Sequence, residues 1–233
     1  PAIIHQTLKS KDSLDSALTR NIDSWKKKNP DFEHQLYDDK DCELFIAKYF
    51  TPKHVQTFHA IKAGAGKADF FRYCVLYING GFYSDVDMRC LEPLYTWVQP
   101  GDTFVIPKDC DNECVDLFQA FIGSTPKNPI LLQSIEKVIF QVEKRYFCRN
   151  LLKLSGPNMI GKVMNHYLGR KRLSSFEEGE IEHQNQQIRI ISHNIKNPKE
   201  FIMCGGKKVI KAQTWFRRKK TNMVHYGKQK WYC

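Results

Sequence analysis

Ala68-Asp69-Phe70-Phe71-Arg72-Tyr73, followed after Cys74 to Asn79 by Gly80-Gly81-Phe82-Tyr83-Ser84-Asp85-Val86-Asp87, decides how this chain is read. From about Ala65 to Ile78 the apolar positions Ala68, Phe71, Cys74, Val75 and Ile78 keep a helical stripe, and Asp69 and Arg72 stand three apart as neighbours on it. Gly80 ends that helix, an aromatic extended segment follows, and two aspartates two residues apart close it. On an extended strand residues i and i+2 face the same way, so both carboxylates would meet one hard cation that wants oxygen ligands. A cation held there, beside an Asp and an Arg delivered by the preceding helix, suits the gripping of a diphosphate.

The spacing alone is weak, because D-x-D recurs at Asp39/Asp41 and Asp109/Asp111. Asp39/Asp41 follows Leu36-Tyr37 and precedes a helical stretch, which reads as a turn and an N-cap. Asp109/Asp111 sits among Pro107, Cys110 and Asn112, a loop composition. Only Asp85/Asp87 has a helix, a Gly-Gly break and an aromatic strand before it. The glycine and the later glutamate of an EF-hand loop are missing there.

Outward from this stretch, Ala2-Ile3-Ile4-His5-Gln6-Thr7 reads as a first strand, Asp12 to Lys28 as a helix stopped by Asn29-Pro30, Phe32 to Tyr37 as a second strand, and Cys42 to Phe50 as a second helix. Trp25 falls on the apolar face of its helix and reads as core rather than as a platform for a base. Beyond the aspartates, Phe104 to Pro107, Leu117 to Ile122 and Ile188 to Ile191 read as strands, and Pro129 to Phe147 and Asn158 to Leu168 as helices. The polar stretch from Leu173 to Gln187 reads as a loop. Alternating strands and helices predict an α/β fold with a parallel sheet, whose ligands gather at the carboxyl ends of the strands. With no repeat and no long linker, a single domain spanning 1–233 is expected.

The net charge is +11 over 233 residues, and no acid follows Glu200, whereas Lys207, Lys208, Lys211, Arg217, Arg218, Lys219, Lys220, Lys228 and Lys230 all do. Such a surface attracts nucleotides, acidic headgroups or phosphorylated glycans. An alternative function follows from it, a basic polyanion- or membrane-surface-binding module without catalysis. The absence of a recognisable nucleic-acid module argues against nucleic acid as the partner. The longest apolar candidate, Phe70 to Ile78, is broken by Arg72 and falls short of a bilayer span, so the chain reads as soluble. Its start at Pro1 rather than methionine leaves room for a removed leader or anchor. Eight cysteines (42, 74, 90, 110, 114, 148, 204 and 233) show no paired C-x-x-C spacing, which speaks against a zinc ribbon and a disulfide miniprotein.

Read in order, these residues resemble the DXD-type sugar-transferase family that includes fungal initiation-specific α-1,6-mannosyltransferases and α-1,4-galactosyltransferases. The matching pieces are Ile3-Ile4-His5-Gln6-Thr7, Ser24-Trp25, Asn29-Pro30-Asp31-Phe32, Ala68-Asp69, Arg72-Tyr73, Gly80-Gly81-Phe82-Tyr83, Asp85 and Asp87, ending near Leu91-Glu92-Pro93-Leu94. Phe121-Ile122-Gly123-Ser124, Ser155-Gly156-Pro157 and His225-Tyr226-Gly227 look like worn later blocks. The resemblance implies a GT-A fold, a single Rossmann-like domain with a mixed, mainly parallel central sheet, and a retaining, metal-dependent hexosyl transfer. The donor would be a nucleotide sugar (a UDP- or GDP-hexose), the acceptor a glycan or glycolipid, and the cofactor Mn2+ or Mg2+. Residues 1–95 would then bind the donor, and 96–233 would form the acceptor side and close the metal site.

Carried over by position, Asp85, Asp87 and the distant His225 would hold the metal. Asp69, Arg72 and Tyr83 would hold the donor sugar together with Asp85, and Asp69, Arg72 and Asp85 would be the catalytic set. Backbone around His5, Gln6 and Thr7 would receive the base, and Lys228 and Lys230 would add point charges at the diphosphate. The bland alternatives are a surface pair for Asp69 and Arg72, packing for the His5 imidazole, and an ordinary half-buried histidine for His225. A family of this kind fits a Golgi lumen, or a host cytoplasm if the Lys-, Ile- and Asn-rich composition is viral.

Overall fold

The computed structural model describes residues 1–109, 115–145, 151–194 and 200–212. Ile3–Thr7 (β1) and Glu33–Tyr37 (β2) pair in parallel, joined by a helix at Ser16–Lys28 (α1). That helix begins at Ser16 rather than Asp12 because Asp15 caps it, accepting from the backbone N–H of Ala17 and Leu18 at 2.9 and 2.8 Å. Such a cap contributes about 1 kcal/mol. Lys11–Ser13 instead forms a short 3₁₀ turn.

The second helix, Asp39–Tyr49 (α2), opens with a capping box in which Asp38 is the N-cap and Asp41 answers it three residues on. The aspartates read as a turn and N-cap therefore do local work, one residue offset from the expectation, and Asp39 pairs with Lys67 at 3.0 Å. A helix at Pro52–Ala60 (α3) carries its signal in a proline at the first turn. Gly64–Asn79 (α4) matches the stripe that opened the reading.

The Gly-Gly break is obligatory in backbone terms. Gly80 and Gly81 adopt φ of 65° and 85°, which L side chains avoid. A Cβ at Gly80 would sit 2.7 Å from Pro126, and one at Gly81 2.5 Å from the Ile3 carbonyl oxygen. The chain thus reverses tightly enough to lay Gly81–Ser84 (β3) against β1 in parallel.

The remaining elements are Arg89–Cys90 (β4), Phe104–Pro107 (β5), Phe121–Ser124 (β6), Pro129–Glu143 (α5), Leu151–Leu154 (α6), Pro157–Tyr167 (α7), Gly179–His183 (β7), Gln186–Asn194 (β8), Glu200–Cys204 (β9) and Lys207–Ala212 (β10). The strand order is β2-β1-β3-β6-β5-β8-β9-β10-β4, with β7 beside β8. Because β6 is antiparallel to both β3 and β5, and β5 is parallel to β8, the strands β2, β1, β3, β5 and β8 all point one way. That part of the sheet is the mixed, mainly parallel one expected, and β7, β9, β10 and β4 extend it by antiparallel pairing.

Three expected elements change. The strand placed at Leu117 to Ile122 lies at Phe121–Ser124, since Leu117 makes only an isolated bridge to Lys108 and Gln119 turns its carbonyl toward Arg72. The stretch from Leu173 to Gln187 is no plain loop: Gly179–His183 forms a hairpin with β8, turned by Gln184 and Asn185 at φ of 46° and 61°. The helix begun at Pro129 ends at Glu143, and Arg145 at φ 51° follows.

Alternation along the strands splits the core in two. Tyr83, Phe104, Ile106 and Ile122 face the helices α2 to α5 and α7, while Val105 and Phe121 face the cluster containing Trp25, Met88 and Trp97. Each such large side chain contributes about 1.5–3 kcal/mol by leaving water. The sheet is thereby fixed from both sides, and its carboxyl edge, where Thr7, Asp85 and Asp109 emerge, is held in place.

Candidate active site at the carboxyl edge

Asp85 leaves β3 at its carboxyl end. Its backbone N–H donates to Ala120 O at 2.8 Å, and its carbonyl accepts from Met88 N at 3.0 Å. Residues 85–88 therefore form a turn rather than more strand, which corrects the expectation that strand alternation aligns the two carboxylates. The turn is stapled by α1. Asn21 Nδ2 donates to Asp87 O at 3.0 Å, Trp25 Nε1 to Met88 O at 2.9 Å, and Ser24 Oγ accepts from Cys90 N at 2.9 Å. Trp25 is wholly buried and is core, not a platform.

Beneath the turn lies a buried charge cluster. Arg72 Nη2 donates to Asp85 Oδ1 at 3.0 Å and lies 3.3 Å from Asp69 Oδ1, while Nη1 donates to Gln119 O at 2.7 Å. Its guanidinium stacks 4.5 Å from the centre of the Tyr83 ring, and the Tyr83 hydroxyl donates to Asp85 Oδ1 at 3.1 Å. Thr7 Oγ1 completes the chain at 2.7 Å from the Tyr83 oxygen. Exposure grades upward: the side chains of Asp69 and Arg72 are 0 % and 2 % exposed, whereas that of Asp85 is 34 % exposed. Asp87 is 7 % exposed. Two buried partners thus orient one oxygen of a carboxylate that reaches the surface.

Asp69 is the costly member. Burial pushes its carboxyl up to about 6, against the pull of Arg72 and of Ser155 Oγ, which donates to Asp69 Oδ2 at 2.8 Å. A buried pair of this kind is weak evidence of stability and better evidence of fixed geometry. The carbonyl of the same serine accepts from Tyr73 OH at 2.7 Å, and Tyr73 also bonds the Gln119 side chain. Ser155 thereby ties the segment before α7 to α4.

On β1, the His5 side chain is fully buried between Tyr37 OH on Nδ1 and Gly80 O on Nε2, both at 3.1 Å, with Nε2 donating to the carbonyl. Burial lowers it to about 4, so the ring is neutral and structural, consistent with the reading that it packs. Gln6 accepts from His34 Nε2 at 2.7 Å and reaches Asp85 O at 3.4 Å. His34 is likewise lowered to about 4 by burial.

The structure thus brings Asp69, Arg72, Tyr83, Asp85, Gln6 and Thr7 to one edge, with His5 just behind. His225, Lys228 and Lys230 lie outside the described residues, as do Cys110, Cys114, Cys148 and Cys233, while Cys42, Cys74, Cys90 and Cys204 are free thiols. Sequence reasoning gave no role to Asn21, Gln119 or Ser155. Asn21 had a signal in its place one turn before Trp25 on a buried helix face, where polar residues are uncommon. Among the described residues no three His, Cys, Asp or Glu side chains converge on one point. Asp85 and Asp87 nevertheless supply the hard oxygen donors that Mn2+ or Mg2+ prefers, and Asp85 spends one oxygen internally while remaining partly exposed.

Comparison with known proteins agrees with this geometry. The chain is 28% identical over 163 residues to the initiation-specific alpha-1,6-mannosyltransferase of Candida albicans, covering 61% of this chain and 42% of that protein. It is 32% identical over 131 residues to an uncharacterized glycosyltransferase of Acanthamoeba polyphaga mimivirus, covering 56% of this chain and 52% of that one. The chain thus spans about half the length of these curated relatives. Among solved structures, the PaToxG glycosyltransferase superposes with a TM-score of 0.58 at 17% identity, covering 72% of this chain and 69% of that one, so the α/β fold is GT-A-like. A family profile described as the glycosyltransferase sugar-binding region containing the DXD motif matches residues 15–105, the span that holds α1, the buried cluster and Asp85-Val86-Asp87. Through that region the chain is similar to the sugar-binding region of the DXD glycosyltransferases.

Proposed function

We propose that the chain is a metal-dependent, retaining glycosyltransferase that moves a hexose from a nucleotide sugar to a glycan or glycolipid acceptor. The observation that carries this is Asp85: a partly exposed carboxylate at the carboxyl edge, oriented through one oxygen by Arg72 and Tyr83. Asp85 and Asp87 would hold Mn2+ or Mg2+, with further ligands from the donor phosphates, water or His225. The ion would supply positive charge where the departing nucleoside diphosphate becomes more negative.

The chain's own residues do the positioning. Arg72 fixes Asp85, Asp69 fixes Arg72, and together with Tyr83 they form the floor on which the sugar's hydroxyls would rest. The β1 backbone at His5 to Thr7 would receive the base, with Lys228 and Lys230 near the diphosphate. Transfer breaks the bond from the anomeric carbon to the phosphate oxygen and forms one to the acceptor oxygen on the same face. The acceptor proton passes to the departing phosphate, so no covalent protein nucleophile is required. Residues 1–95 form the donor part and 96–233 the acceptor side of one domain in this reading. The mannosyltransferase named among the relatives puts a mannose donor first in line.

The deciding experiment is thermal stabilisation by a panel of nucleotide sugars with and without Mn2+. A cognate donor at a hundred times its dissociation constant should add about 2.7 kcal/mol, and only with the ion. Equal stabilisation with and without Mn2+, or none by any donor, contradicts the proposal.

A further inference from the structure

A second charged feature lies away from the carboxyl-edge site, in a groove of about 690 Å³ between α5 and α7. Lys137 from α5, Lys153 from α6, Lys162 and His166 from α7, and Arg170 and Arg172 beyond it line this groove, against a single acid, Glu136. Among the described residues Lys137, Lys153, His166, Arg170 and Arg172 enter no ion pair. Five of the six are exposed, Lys162 being half-buried. A protein that needs such charge only for solubility has no reason to gather it around a concavity.

Apolar side chains stand among these basic groups. Phe140 lines the groove at 47 % exposure, with Lys137 Nζ 5.2 Å from its ring centre. Leu132, 37 % exposed, shares the helical stripe of Glu136 and Phe140, and Leu173, 69 % exposed, follows Arg172 directly. A purely ionic polyanion site gains nothing from leaving these groups in water. A surface that offers anionic phosphates above an apolar layer satisfies both, the cations at headgroup level and the apolar groups just beneath.

We propose that the α5–α7 groove is a docking surface for an acidic phospholipid bilayer. The site would attach the enzyme to a membrane face by charge and shallow apolar insertion. This binding is separate from the donor chemistry. The link between them is short, because Gln141 in the groove wall donates to Leu154 O at 2.9 Å, and the next residue, Ser155, holds Asp69.

The test is cosedimentation of the full chain with phosphatidylcholine vesicles, with and without phosphatidylserine, at several salt concentrations. The wild type should bind only the acidic vesicles, and less as salt rises. The combined variant Lys137→Glu, Lys153→Glu, Arg172→Glu should lose roughly a hundredfold in partitioning, at roughly fivefold per cation removed. Phe140→Ser should weaken binding without changing the salt slope. Donor hydrolysis should be unaltered in both variants, which separates failure here from failure of the glycosyltransferase reading. Undiminished binding by the charge-reversal variant would move the attachment to the basic residues after Glu200 and overturn the proposal. Capture of soluble polyphosphate but not of acidic vesicles would overturn it as well, by making the partner a free polyanion.

Discussion

The two charged regions of this molecule are built on opposite plans. Beneath Asp85 the charges are committed to one another: Arg72 spans two carboxylates and a carbonyl, and Asp69 is fully buried between Arg72 and Ser155. In the α5–α7 groove Lys137, Lys153, Arg170 and Arg172 are exposed and, among the described residues, enter no ion pair. Burial makes charge expensive and holds it in one position, which suits the orientation of one reacting ligand. Exposure makes charge cheap and long-ranged within a Debye length, which suits attraction to an extended anionic surface.

The contrast predicts unequal sensitivity to substitution. The largest effect is expected for Arg72→Met, which leaves Asp69 and Asp85 facing each other without their cation and should cost about 3–5 kcal/mol in urea-unfolding free energy. Arg72→Lys keeps the charge but not the fork, and should cost less in stability while still depressing donor turnover by roughly 10–100-fold. Equal losses for the two variants would mean that charge alone contributes nothing at this position, and a lysine variant as stable and active as the wild type would mean that the fork does not matter.

Acid titration comes next, and its signs oppose. His5 and His34 are each lowered from 6.5 to about 4 by burial, so their contributions are full above 6.5 and are lost as pH falls toward 4. Asp69 is raised from 3.8 to about 6, so its contribution is full below 3.8 and is lost as pH rises through 6. Each shift corresponds to about 3 kcal/mol at most. Two losses against one gain predict a melting temperature that drops between pH 6.5 and 4, and a flatter profile in His5→Gln.

Trp25→Phe removes the bond to Met88 O but keeps most of the packing. It should cost about 1–3 kcal/mol, read by thermal melting, with a matching loosening of the D-x-D turn seen as faster hydrogen exchange at Met88. Smallest of all, the groove charge reversals should change stability by no more than about 0.5 kcal/mol. A large loss there would dissolve the contrast.

What the sequence disclosed follows the same physics. The stripe from Ala68 to Ile78, the Gly80-Gly81 stop and the aromatic strand announced α4 and β3 because helix period, left-handed glycine and strand composition all agreed locally. The hairpin of β7 and β8 was illegible because Gly179–His183 is a polar edge strand turned by Gln184-Asn185, so neither alternation nor a usual turn pair marks it. Gly205-Gly206, at φ of 54° and 76° between β9 and β10, did carry a signal that the surrounding lysines obscured. At the site, the residue types at 69, 72, 83 and 85 were readable, but the dependence of Asp69 on Ser155, 86 residues away, was not. Long-range contacts of that kind leave no local period. The turn at Asp85–Met88 was missed for a related reason, since it is set by Asn21 and Trp25 of α1 rather than by its own composition.

The central claim rests on the Asp85-Val86-Asp87 turn holding an ion for a sugar donor. Donor hydrolysis by Asp87→Ala in Mn2+, alongside a melting curve, addresses it most directly. The account predicts a fall of roughly 10²–10³-fold or more with the cooperative melt retained. A folded Asp87→Ala variant that hydrolyses the donor at the wild-type rate would contradict it.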